Sequence, residues 1–383
     1  MKVALLVVDN RGLLDDCGNP IPHFGTAPEA LLQGFARMPE LEVDVVSTIR
    51  ERVRSPEFLS PNIRFHSLVV PKLGWMRTLY QGCVRATRRK LREIRPDIVH
   101  GQGTEFDGAI SAVRSGFPNV ITLHGNMAEM ARVLRARPLS FYWLAARLET
   151  FAVRRTRGVF CNSAHTEDSV RQRAGRCWRV PNAVREQFFE KLPVQQPASQ
   201  CVILNVGVIC EYKRQLELLE LAESLHRSEL AVTFRFMGRA NPQSPYARTF
   251  MERIKAGERE GYASYTGAKD TTGLIEAYDN ASGMVHVPTA ESFGLVAAEA
   301  LARNLKFFGT RVGGIPDIAE GAEGAELFAE EDWAGLRDAI TQWVRRSSPR
   351  PRAAAAIMRA RYHPEVVARR HVEIYQEVLS SRS

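Results

Sequence analysis

Glu291 and Glu299 stand with seven residues between them in the run Pro288-Thr289-Ala290-Glu291-Ser292-Phe293-Gly294-Leu295-Val296-Ala297-Ala298-Glu299. Three other glutamate pairs share that spacing (Glu252/Glu260, Glu323/Glu331 and Glu365/Glu373), so spacing alone decides nothing. Context does. This pair follows a hydrophobic strand, passes through a Ser-Phe-Gly turn and enters an alanine-rich helix. Gly294 at the helix entrance lets a ligand approach the backbone closely. The N–H groups at the helix entrance, over Ser292, Phe293, Gly294 and Leu295, form with the positive dipole end a site for a diphosphate. Glu291 sits in the turn, beside whatever the diphosphate carries. Glu299 lies about one and a half turns into the helix with its side chain tilted back, where a carboxylate can accept hydrogen bonds from a ribose diol.

Something must hold that turn. Short apolar runs alternate with helical segments along the whole chain, the pattern of parallel sheets with crossover helices. The first series of predicted strands covers residues 3–8, 43–47, 65–70, 97–101, 119–124 and 159–162; the second covers 202–208, 232–238, 263–267, 284–288, 306–309 and 326–329. Several are continuous apolar runs, as expected for strands buried on both faces. The polar stretch 193–200 reads as a connection. The expected architecture is α/β: a doubly wound domain over 1–190, a second over 200–350, and a helical tail over 351–383. Residues 364–378 form a last amphipathic helix that either closes the second domain or crosses back onto the first. Ligands of such folds bind at the carboxyl ends of the strands, here in the crevice between the domains.

Composition narrows the function classes. The 383 residues are 45% hydrophobic and 25% charged, which excludes a disordered or collagen-like chain. The apolar run at 3–8 is too short for a signal-peptide core or a membrane span. The six cysteines form no Cys-x-x-Cys pair, which argues against a disulfide scaffold or zinc ribbon and for a cytoplasmic location. The net charge of +9 is uneven: residues 1–200 carry 29 Lys+Arg against 19 Asp+Glu, whereas 201–383 carry 23 against 24. The basic half faces something anionic. Its charge concentrates in 76–95 and 132–157, the latter with seven arginines around Phe141-Tyr142-Trp143-Leu144. A basic helix bearing aromatics can lie on an anionic bilayer, and equally can be a solvated face of an ordinary crossover helix. No nucleic-acid recognition module is present.

The run Glu291-Ser292-Phe293-Gly294-Leu295 through Glu299-Ala300-Leu301-Ala302 resembles the signature of the retaining GT-B glycosyltransferases, most closely glycosyltransferase family 4. Asp97-Ile98-Val99-His100, followed by Thr122-Leu123-His124-Gly125, is similar to the histidine-bearing turn of that family's first domain. Val180-Pro181-Asn182-Ala183-Val184 with Phe188 resembles its interdomain segment, alanine replacing glycine. Gly313-Gly314-Ile315-Pro316-Asp317-Ile318 matches a further turn, with Asp317 for the usual glutamate.

The resemblance implies the GT-B fold, two Rossmann-like domains facing each other across a cleft, and transfer of a sugar from a nucleotide diphosphate sugar to a glycan, lipid-linked or small-molecule acceptor. Glu291 and His124 fall at its catalytic positions. Gly207 and Lys213 fall where the donor diphosphate is held, but the arginine usual just after the glycine is Val208 here, and Arg214 is the candidate substitute. Glu299 is expected on the ribose; Gly238, Gly267, Ala268 and Lys269 near the base and phosphates; Gly25 and Thr26 in a first-domain loop near phosphate and acceptor. UDP is the first expectation for the carrier and GDP the second. No cofactor is implied, and no Asp-x-Asp triplet calls for a metal. Retention through a covalent intermediate needs a carboxylate nucleophile about 5 Å from the acid, and no pair identifies itself as that. The expected course is departure and attack on one face of the sugar, with Glu291 orienting the donor. Two alternatives share the fold: a weakly active or non-catalytic nucleotide-sugar-binding protein, suggested by Val208, and a nucleotide-sugar epimerase. The inner face of the membrane is the expected place of any peripheral attachment.

Overall fold

The computed structural model describes residues 1–12, 16–192 and 200–381, so the connection read at 193–200 lies, apart from Gln200, outside the described residues. The chain divides into two compact units, Met1–Arg185 with Tyr362–Ser383, and Glu186–Arg361. Residues 186–190 and 351–361 therefore belong with the second unit, a different division from the 1–190, 200–350 and 351–383 expected from sequence. The physical cause is a buried arginine. Arg303, 1% exposed, donates to the carbonyls of Phe188, Glu190 and Lys191 and to the Asp279 carboxylate. Arg350 donates in turn to the carbonyls of Arg303, Asn304, Asp279 and Ala281. A buried guanidinium is tolerated only when its donors are matched in this way, and these fix both ends of the unit.

The first unit is built on β1 (Lys2–Leu6), β2 (Glu42–Ile49), β3 (Phe58–Ser60), β4 (Ile63–Val69), β5 (Ile98–Gln102), β6 (Asn119–Leu123), β7 (Val159–Cys161) and β8 (Cys177–Arg179). They lie in the order β3-β4-β2-β1-β5-β6-β7-β8, parallel except for the edge pair β3/β4. Val3, Leu5, Val99, Ile121 and Phe160 are fully buried, as two helix-covered faces require. Helix Pro364–Ser380 packs here: Val367, Ile374, Tyr375 and Val378 share one core with Phe35 and Phe160. The Tyr375 hydroxyl meets His100 Nδ1 at 2.5 Å, and His100 Nε2 meets Thr122 Oγ1 at 2.7 Å. His100 is thus a satisfied core histidine, its proton affinity depressed by burial.

The second unit holds β9 (Cys201–Val206), β10 (Val232–Met237), β11 (Ala263–Tyr265), β12 (Gly283–His286), β13 (Lys306–Thr310) and β14 (Ala325–Phe328). The sheet is wholly parallel, ordered β11-β10-β9-β12-β13-β14. This is the doubly wound order, and the winding reverses between β9 and β12. In open sheets of this order ligands bind at the carboxyl ends of the strands beside that reversal. Among the described residues no helix is long and apolar enough to cross a membrane.

Candidate functional site

The loops at the β9/β12 reversal carry the charged residues singled out in the sequence. Gly207 leaves β9 and donates to the Met237 carbonyl; Ile209 then donates to Arg239, so the β9 loop runs beside the β10 loop. Buried Gln215 ties this loop to the next helix, accepting from the Cys210 N–H and donating to the Val208 carbonyl. The Thr289 N–H, beyond β12, reaches the Tyr212 carbonyl at 2.9 Å. That crossing brings Lys213 to Glu291, Nζ to Oε2 at 2.6 Å, with each side chain about one-sixth exposed. His286, the last residue of β12 and 1% exposed, places Nε2 3.1 Å from the same Oε2. Burial pushes the Glu291 carboxyl up, but Lys213 and His286 outweigh it and hold the group well below the usual carboxylate range. Burial, assisted by the Lys213 charge, lowers the proton affinity of His286, against the pull of Glu291.

The chain then turns into helix Leu295–Ala302. Gly294 stands at its N-terminus with φ +94°, a conformation that favours glycine, and no side chain caps the helix. Ala297 and Ala298 donate back to the Gly294 carbonyl, whereas the helix itself supplies no acceptor for the N–H groups of Leu295 and Val296 beside Glu291. Phe293 is buried, so its side chain is closed to a ligand and only its backbone is a candidate contact. Glu299 is 2% exposed, with the Tyr278 hydroxyl 3.5 Å from its Oε2. The Gly313-Gly314 turn after β13 presses on the Glu291 segment: a Cβ on Gly313 would lie 1.5 Å from the Glu291 carbonyl oxygen.

Gly207, Gly238 and Gly267 line the same carboxyl edge, with the Gly238 N–H donating to the Gly267 carbonyl at 3.0 Å. Ala268 and Lys269 follow, exposed, ahead of a helix capped by Asp270. Arg214 does not join this group. Its guanidinium donates to the Glu330 carbonyl and the Glu331 carboxylate, lies 4.7 Å from the centre of the Trp333 ring, and is buried there. The expectation that Arg214 replaces the arginine absent at Val208 is therefore corrected: two acidic-loop acceptors and an indole face already occupy it.

In the first unit His124 directly follows β6, its Nε2 2.7 Å from Gln102 Oε1 and its carbonyl accepting from Asn162. Burial pulls its proton affinity down to about 4, the Asn182 side chain opposing. Glu149, fully buried, accepts from Thr104 Oγ1 and from the N–H groups of Met127 and Ala128, which fixes the turn after His124. Glu105 lies by this turn, close to Gly103 and Gly125, its carboxyl raised by burial. Gly25 is the N-cap of helix Thr26–Ala36, with Thr26 exposed.

Sequence reasoning missed His286, Gln102 and Glu105. The signal for His286 was a lone imidazole in the otherwise apolar Met284-Val285-His286-Val287. Glu105 and Gln102 lay just past a predicted strand, with nothing in their spacing to mark them. Among the described residues no group of three or more His, Cys, Asp or Glu side chains is placed to hold a metal.

The family described as Glycosyltransferase Family 4 matches residues 29–188, and that described as Glycosyl transferases group 1 matches 186–361. No curated protein gives a significant match. Among solved structures the chain is similar to sucrose-phosphate synthase from Thermosynechococcus elongatus, at 18% identity over 100% of both chains with a TM-score of 0.78. Anabaena HepE in complex with UDP-glucose is similar at 17% identity over 100% of both chains, TM-score 0.70. A glycosyltransferase from Rickettsia africae is similar at 13% identity over 100% of this chain and 99% of that one, TM-score 0.67. At such identities the likeness speaks for the fold, while the two adjoining family matches run from residue 29 to residue 361. The chain belongs to the GT-B glycosyltransferases, a Glycosyltransferase Family 4 region followed by a Glycosyl transferases group 1 region.

Proposed function

We propose that this glycosyltransferase moves a sugar from a nucleotide diphosphate sugar to an acceptor hydroxyl with retention of anomeric configuration. The observation that carries the reading is the Lys213–Glu291–His286 cluster beside an uncapped helix N-terminus at the switch point of the second sheet. The diphosphate binds the first-turn N–H groups of helix Leu295–Ala302 and draws Lys213 onto it; these donors neutralise the leaving group with no metal required. Glu299 takes the ribose, and the loops at Gly238 and Gly267 take the base. Glu291, ionised throughout the neutral range, orients the sugar and stabilises positive charge at the anomeric carbon. The bond to the diphosphate oxygen breaks as the acceptor oxygen attacks on the same face, its proton passing to the diphosphate. His124 is the first unit's candidate contact for the transferred sugar. UDP is the favoured carrier, since a protein of this fold, HepE, is in complex with UDP-glucose.

The test is turnover of anomerically defined UDP-, GDP- and ADP-glucose, with product anomers followed by NMR. Release of sugar or glycoside with the donor's configuration supports the reading. Binding without turnover points to a non-catalytic relative; a changed nucleotide sugar points to an epimerase; an inverted product contradicts retention.

The acceptor side is proposed to meet an anionic membrane surface. Segments 76–95 and 132–157 contribute to one groove in the first unit, where Arg155 and Arg114 lie 3.8 and 5.2 Å from the centre of the Phe151 ring and Arg85 and Arg88 form another part of the wall. Nearby in sequence, Leu139 and Phe141 are 75% and 40% exposed among Arg132, Arg135 and Arg137. Apolar side chains set among arginines suit a headgroup layer. Flotation with phosphatidylglycerol vesicles, and none with phosphatidylcholine vesicles, is the expected result at low salt. Equal recovery with both contradicts it.

A further inference from the structure

β12 is apolar and buried up to His286: Met284 and Val285 are fully covered, and Val287 beyond is 1% exposed. An imidazole at such a position costs free energy unless its polar atoms are matched. One is matched, Nε2 at 3.1 Å from Glu291 Oε2. The other, Nδ1, is buried and has no hydrogen-bond partner. A proton on Nδ1 would be unsatisfied, whereas a bare lone pair there costs less. The network thus assigns the proton to Nε2 and makes His286 a neutral donor to the carboxylate.

Lys213 reaches the same Oε2 by a different route. It stands on the single turn Glu211–Lys213, and its ammonium ends a flexible four-carbon stem. Both donors fall on Oε2, and among the described residues Oε1 carries no hydrogen bond from the protein. The two contacts respond differently to an incoming diphosphate. The ammonium is a mobile charge for which two phosphates outcompete one carboxylate. The imidazole is neutral and fixed by the backbone of β12, so a phosphate gains little by attracting it.

We infer that His286 is a positioning residue: it keeps Oε2 of Glu291 fixed once Lys213 has moved onto the donor diphosphate, leaving Oε1 directed at the sugar. Lys213 is the exchangeable partner and His286 the permanent one. The inference rests on the transferase reading above. The charged or titratable groups acting on Glu291 are Lys213 from the β9 loop and His286 from β12; Asp317 stands in the first turn of the neighbouring helix Ile315–Ala319.

The experiment compares wild type, His286→Leu and His286→Gln as full chains, using UDP-, GDP- and ADP-glucose and the donor that wild type turns over. Glutamine can extend an amide N–H to about the position of Nε2. For H286L, kcat is expected to fall about 10-fold, with KM within about twofold. In the donor complex, where Lys213 is engaged by phosphate, the loss of His286 leaves burial to raise the Glu291 carboxyl. The acid limb of kcat therefore moves up by about one pH unit. The limb of kcat/KM, which reports free enzyme with Lys213 still in place, moves less. H286Q should recover most of kcat and restore the limb. Wild-type kcat and an unmoved limb in H286L would overturn the inference. So would a loss of kcat that tracks a lowered Tm in both variants with no movement of the limb. A wild type inactive on every donor would instead sink the transferase reading, and this inference with it.

Discussion

Glu291→Gln is expected to lower sugar transfer by about 10²–10³-fold at saturating donor, or about 3–4 kcal/mol in the barrier. Glutamine keeps the size of the side chain and both neighbours, and removes only the charge. That charge is secured in the resting protein: Lys213 and His286 both donate to Oε2 and hold the carboxyl well below its ordinary range. The variant also separates binding from chemistry. Lys213 no longer has a carboxylate partner at 2.6 Å, so UDP affinity is expected to stay the same or rise. Calorimetric titration with UDP, together with single-turnover rates, measures both. Full transfer by the variant at saturating donor would remove Glu291 from the chemistry. A parallel loss of UDP affinity would mean that the carboxylate serves mainly to shape the pocket.

Gly313→Ala is expected to be the most disruptive single-methyl change in the second unit. Gly313 has φ +58°, and the added Cβ would sit 1.5 Å from the carbonyl oxygen of Glu291. The left-handed conformation alone costs an alanine about 1–2 kcal/mol, and relief of the overlap must displace the Glu291 backbone or the turn. A total of roughly 3 kcal/mol corresponds to about 6–12 °C in Tm for a unit of this size. Transfer should fall as well, since the displaced segment is the one that presents Glu291. Gly175→Ala is the control: nothing lies within 4 Å of the added atom, and Tm should stay within about 1 °C. Equal stability of the two variants would show that the turn yields without cost.

Much of the fold was legible because parallel strands buried on both faces leave continuous apolar runs. Every predicted strand overlaps an observed one, including 43–47 within β2 and 306–309 within β13. β3 and β8 escaped because they are three-residue edge strands, Phe-Leu-Ser and Cys-Trp-Arg, with no pattern to read. The turn and helix around Glu291 and Gly294 were legible for a local reason: strand, turn and helix follow one another within about 20 residues. Partnerships across the sheet were not. Arg214 is adjacent in sequence to Lys213, yet Glu330, Glu331 and Trp333, more than a hundred residues on, decide where its guanidinium goes. His286 looks like a strand residue until β9 and β12 are set side by side. The limits of the second unit likewise depend on Arg303 reaching back to carbonyls of residues 188–191.

We propose that the first turn of helix Leu295–Ala302 and Lys213 together grip a diphosphate. A crystal structure of the protein with UDP bound tests it most directly. The β-phosphate is expected against the N–H groups that begin at Gly294, with Lys213 Nζ moved from Glu291 onto phosphate oxygen and His286 still on Oε2. UDP seated elsewhere, or the helix end vacant with Lys213 still paired to Glu291, would contradict it.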